Sequence, residues 1–185
     1  MSGWAARVLP ALLVCGMALA AERSGVRLDV PYVKQQKNGC GAASIAMVMQ
    51  YWQGQRPGLA AVPNVEEIQR ALYSPRARGI YASDLERYLQ QHGFRTFAVK
   101  GEWSDLRGHL EKGRPLIIAL KSGRNDLHYV VLTGLDWQED VVLKHDPAER
   151  QLLKQHRSDF QREWTAAGNW VLLAVPEDGR EWSSH

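Results

Sequence analysis

Cysteine is scarce in this chain, with two in 185 residues, too few for the disulfide framework of a small secreted scaffold. No Cys-x-x-Cys or His-x-x-x-His pair occurs, which leaves a zinc site poorly supported, although three ligands can converge from afar. Charge of one sign is also missing: the formal net charge is +3. No basic stripe tracks along any segment, so nucleic acid is not an expected partner. No apolar run approaches the roughly 20 residues a membrane-spanning helix needs. Internal repeats and low-complexity linkers are absent as well, and the length fits one domain with a substantial core.

The N-terminus reads as a secretory signal over residues 1–21. Arg7 is its positive n-region, Val8 to Ala18 is mostly apolar, and Ala18-Leu19-Ala20 offers an A-x-A cleavage site. An uncleaved anchor or a buried first helix is the other reading. Acylation of Cys15 is disfavoured by the bulk of Val14 before it. The mature chain is expected to start near Ala21, exported to the periplasm or the medium, with no stable membrane insertion after cleavage. Losing Arg7 leaves 22 basic against 20 acidic residues, a net charge of +2. Residues 22–176 then form one domain, and 177–185 a loose polar tail.

Cys40 is the one thiol expected to survive export, and it has no partner for an internal disulfide. Gly39 and Gly41 flank it, and the apolar run Gly41 to Trp52 follows at once, with Ser44 and Gln50 polar inside it. That run predicts a helix buried on nearly every side. The sulfur would sit at its N-terminus, where unpaired backbone N–H groups and the helix dipole favour the thiolate.

Further along, Val26 to Val30 predicts a short strand closed by Pro31. Asn64 to Tyr73 and Ser83 to His92 predict amphipathic helices, the second with Ser83 as N-cap and Glu86 completing a capping box. Phe94 to Val99 predicts a strand, and Ser104 to Lys112 a helix stopped by Gly113. Strand-like runs follow at Pro115 to Leu120, His128 to Leu135, Val141 to Lys144 and Trp170 to Val175, with a short helix at Arg157 to Ala166. Helices crowd the first half and strands the second, which predicts an α+β domain with an antiparallel sheet.

A thiol nucleophile needs a base, an acceptor that orients the base, and donors for the oxyanion. Of six histidines, His185 lies in the tail, His156 in a polar stretch, and His92 and His109 in or beside amphipathic helices. His128 and His145 remain. If Asp136-Trp137-Gln138 forms a three-residue hairpin loop, facing residues have numbers that sum to 274. His128 then lies opposite Asp146, while His145 points away. The register nominates His128 as base and Asp146 as orienting carboxylate. The Cys40 amide is one natural oxyanion donor, and Gln35 or Gln36 can supply a second.

The stretch Val30 to Ser44 (Val-Pro-Tyr-Val-Lys-Gln-Gln-Lys-Asn-Gly-Cys-Gly-Ala-Ala-Ser), with His128-Tyr129-Val130-Val131 and Asp146-Pro147, resembles the double-glycine leader peptidases that process bacteriocin precursors. These are papain-like cysteine peptidases, and the resemblance runs from about Val30 to Val175. It implies catalytic Cys40, His128 and Asp146, and among the two glutamines it favours Gln35 for the oxyanion. It also implies a central helix carrying the cysteine, packed on an antiparallel sheet carrying the histidine and aspartate. The substrate would be a peptide or protein, and no metal or organic cofactor would be required. Two departures stand out. Gly39 replaces an aspartate common in the family, and the well-known members are cytosolic domains of ABC exporters, so cleavage after Gly-Gly is not carried over. A transpeptidase, another acyltransferase or a peptidoglycan amide hydrolase could use the same acyl-enzyme. A non-catalytic peptide-binding module is the remaining reading.

Overall fold

The computed structural model describes residues 24–123 and 126–177. The expected signal peptide and all of the expected tail beyond Glu177 lie outside these residues. Twelve elements follow one another: β1 (Gly25–Arg27), α1 (Cys40–Gln55), α2 (Val65–Leu72), α3 (Ala82–Gln91), β2 (Phe94–Lys100), α4 (Trp103–Glu111), β3 (Leu116–Ser122), β4 (Asp126–Asp136), β5 (Val141–His145), β6 (Leu153–His156), α5 (Arg157–Ala166) and β7 (Trp170–Pro176). The strands form one antiparallel sheet in the order β2-β7-β3-β4-β5-β6, with β1 pairing the far end of β4. This is the α+β arrangement that the sequence pattern predicts and the papain-like one that the resemblance implies.

The central strands are covered on both faces, which explains their near-continuous apolar runs. Ile117, Tyr129, Val131 and Leu172 join Ile45, Met49 and other α1 residues in one core. Their alternate neighbours Ile118, Val130, Leu132 and Leu173 meet Leu106, Leu110, Phe160 and Trp164 of α4 and α5 in a second. The α1 helix is therefore enclosed: Ala42 to Met49 are all buried. Among the described residues, no helix is long and apolar enough to cross a membrane.

Three sequence expectations are corrected. The helix expected from Ser83 begins at Ala82, with Tyr81 as N-cap and no side-chain cap bond. The Tyr81 carbonyl already accepts from Asp84 and Leu85, so Ser83 falls inside the first turn. Glu86 accepts instead from Thr96 Oγ1 at 3.3 Å. The strand β6 was not expected, because Leu-Lys-Gln-His carries little apolar signal and stays half exposed.

The third correction concerns the register of β4 and β5. Strand β4 runs on through Asp136, which faces Val141, so the loop spans residues 137–140. Asp136 Oδ1 accepts from the Gln138 and Glu139 amides at 3.0 and 3.1 Å. Asp140 adopts φ +49°, turning the chain back. Facing residues sum to 277 beside the turn and to 276 beyond a shift between Leu132 and Gly134, not to 274. The odd sum alone would put His145 on the side of His128. The bulge restores an even sum and brings Asp146 level with Val130, two residues from His128 on the same face. Gly134, at the edge of this shift, lets β1 lie close against β4, because a Cβ there would stand 2.3 Å from the Val26 carbonyl oxygen.

Candidate active site

Cys40 opens α1, with Gly39 as the half-turned residue before it and no acidic residue in the first turn. Nothing on that turn neutralises the positive end of the helix. Burial alone would push the Cys40 thiol up. A hydrogen bond with His128, backbone amides of Tyr129 and Gly41, and the charge of His128 outweigh burial and bring the thiol below its ordinary value. Groups from both halves of the molecule thus favour the thiolate, the nucleophilic form.

His128 stands near the start of β4. Its Nε2 is 2.7 Å from Asp146 Oδ1, which leaves Nδ1 for the thiol. Burial disfavours the imidazolium, but hydrogen bonds to Asp146 and Cys40 and their negative charges raise its pKa to about 9. Asp146 follows β5 directly and is 4% exposed. Burial would raise its carboxyl, yet bonds from His128 and the Ala148 amide, with the charges of His128 and Lys144, hold it below the usual carboxylate value. Ala148 N–H donates to the same Oδ1 at 3.0 Å.

A cleft of about 550 Å³ opens beside the sulfur, lined by Gln35, Cys40, Arg78, Tyr81, Asp126 and His128 among others. Gln35 Oε1 is buried with no partner. Gln36 lies on the exposed surface, where its Nε2 donates to Glu66 Oε1 at 2.7 Å. Arg78 and Asp126 form an exposed ion pair on the wall of the cleft.

The sequence reading missed how the loop before Cys40 is fastened. His145 Nδ1 accepts from the Leu152 amide at 3.0 Å, so its Nε2 carries the proton donated to the Val30 carbonyl at 2.7 Å. Tyr32 Oη donates to the Asp146 carbonyl at 3.2 Å, and the Gln35 amide donates to the Pro147 carbonyl at 3.0 Å. These bonds tie the Val30 to Gln35 segment to the end of β5 and to the turn that carries Asp146. No local pattern signals this, because the bonds to Val30, Tyr32 and Gln35 link residues more than 100 positions apart.

The geometry has relatives. The Peptidase_C39 like family matches residues 27–171. The chain belongs to that family of C39-like peptidases. Among solved structures, the chain is similar to the peptidase domain of Streptococcus ComA, a bi-functional ABC transporter involved in quorum sensing. That likeness has 20% identity, 79% coverage of this chain and 98% of the other, and a TM-score of 0.64. It is also similar to a double glycine motif protease from an AMS/PCAT transporter, solved in complex with a leader peptide. There the identity is 25%, coverage is 82% and 95%, and the TM-score is 0.62. A candidate C39-like peptidase from Bacillus anthracis shares the fold at 17% identity, covering 83% of this chain and 98% of its own, with a TM-score of 0.67. Among curated protein sequences, none is significantly similar. The C39-like chain is thus a cysteine peptidase-type domain, with Cys40 on the central helix and His128 and Asp146 on the sheet side.

Proposed function

We propose that this C39-like protein is an exported peptidase that hydrolyses peptide bonds through Cys40, His128 and Asp146. The observation that carries the reading is His128, bonded to Asp146 at 2.7 Å and lining one cleft with Cys40 and Gln35, where it helps lower the Cys40 thiol. The Cys40 thiolate attacks the scissile carbonyl carbon. As the C–S bond forms, the carbonyl π pair moves to oxygen, and the resulting oxyanion is received by the Cys40 amide and the Gln35 side chain. Collapse of the intermediate breaks the C–N bond, and the His128 imidazolium gives its proton to the departing amine. A thioester remains. Neutral His128 then takes a proton from water, whose oxygen displaces the sulfur and releases the acid. Throughout, Asp146 holds the ring and stabilises the imidazolium. The substrate is a peptide or protein, and the chemistry calls for no metal or organic cofactor.

Export rests on the pattern of residues 1–21. A comparison of extracytoplasmic peptide termini between cells carrying the intact protein and cells carrying Cys40→Ala tests activity and location together. Termini present only with Cys40 are expected. Identical termini in both strains would sink the peptidase reading, and a protein still starting at Met1 would sink export.

Gln35 and Gln36 separate cleanly. Gln35→Ala is expected to lower turnover by about two to three orders of magnitude, the usual cost of one oxyanion donor. Gln36→Ala should cost little, since its amide is engaged with Glu66 on the surface. Steady-state kinetics of the two variants decide this, and an equal or larger loss at Gln36 would reverse the assignment.

A further inference from the structure

Behind the line of bonded groups lies a buried cation for which the chemistry above has no use. Lys144 sits on β5 between Leu132 of β4 and Leu153 of β6, and it is 5% exposed. An ammonium in such a place is costly unless it is paired. Among the described residues, its one carboxylate partner within 4.0 Å is Asp146, whose Oδ2 is 3.9 Å from Nζ. The other oxygen, Oδ1, serves His128 and the Ala148 amide. The Asp146 carboxylate thus faces a base on one side and a cation on the other.

A second cavity, of about 490 Å³, exposes this rear side and is lined by Lys144, Asp146 and His128. The other charged groups around it are Glu149 in the turn after β5, Glu163 of α5, Lys121 of β3 and Lys154 of β6. Lys154 is already paired with Glu139. Glu149 and Glu163 act on Lys144 through their charge and help Asp146 oppose the effect of its burial.

We infer that Lys144 is the counter-cation of the site, a positioning residue that balances Asp146 from behind and keeps its carboxylate turned to His128. The inference rests on the reading of Cys40 as nucleophile and His128 as base. With Cys40 as thiolate and His128 as imidazolium, the enclosed group holds two negative and two positive charges. A separation of 3.9 Å exceeds a hydrogen bond, so the link is coulombic and grows with burial. Removing Lys144 leaves one uncompensated negative charge. Every proton nearby is then held more tightly, so the ionisations of Cys40 and His128 both move to higher pH. Replacing lysine with arginine preserves the charge and should preserve the pH window.

The test follows alkylation of Cys40 by iodoacetamide across pH in the wild type, K144M, K144R and H128A, with melting temperature recorded for each. The low-pH limb of K144M is expected about half a pH unit higher than that of the wild type, which lowers its rate about threefold on that limb. K144R should follow the wild type. A structural role alone would lower the melting temperature of K144M and leave its limb in place, and that result overturns the inference. Should K144M fail to fold, K144Q supplies the neutral head, and an unshifted limb there overturns it equally. A limb that H128A fails to move contradicts the triad reading itself, whatever Lys144 does.

Discussion

His128→Ala is expected to lower peptide turnover by about four orders of magnitude while leaving the protein folded. Two losses combine. The variant has no group to protonate the departing amine, a contribution of about two to four orders of magnitude in general acid–base catalysis. It also removes the hydrogen bond and the cation that hold the Cys40 thiol below its ordinary value, so less thiolate is present at neutral pH. Folding is expected to survive because His128 stands near the start of β4, at the rim of the cleft, rather than in either apolar core. Newly formed termini in a defined peptide mixture, read by mass spectrometry, measure the loss. Turnover within tenfold of the wild type would remove His128 from the mechanism.

Asp146→Asn comes next, with an expected loss of about three orders of magnitude. Size and shape barely change, so the difference isolates the charge. An asparagine oxygen can still accept from His128 Nε2, but the anion that raises the imidazolium is gone. Loss of a neighbouring negative charge lowers a cation's pKa, so the high-pH limb of activity, set near 9 by His128 in the wild type, should move down. Turnover of Asp146→Asn across pH shows both effects. An unchanged upper limb would mean that Asp146 does not govern the base.

Much of this site is legible in the sequence for local reasons. The Gly39-Cys40-Gly41 run and the mostly apolar stretch after it point to an enclosed helix with the sulfur at its start. The pairing of His128 with Asp146 is a subtler case. The hairpin expectation reached the right pair through the wrong register, because two departures cancel in parity. The Asp136 turn lengthens the loop by one residue, and the bulge between Leu132 and Gly134 shifts the pairing again. Neither departure is visible in the apolar pattern. The bulge lies beside the place where β1 packs on Gly134, a contact between segments more than 100 residues apart. Lys144 illustrates the same limit. In the sequence it is a polar residue at the end of a strand, and only β6, whose own signal is weak, reveals that it is enclosed.

The central claim is that His128 activates Cys40, and the rate of Cys40 alkylation against pH tests it with no substrate required. In the wild type, alkylation should remain fast well below the pH at which an ordinary thiol ionises, and in His128→Ala the limb should move up toward that ordinary value. Superimposable profiles for the two proteins would contradict the account.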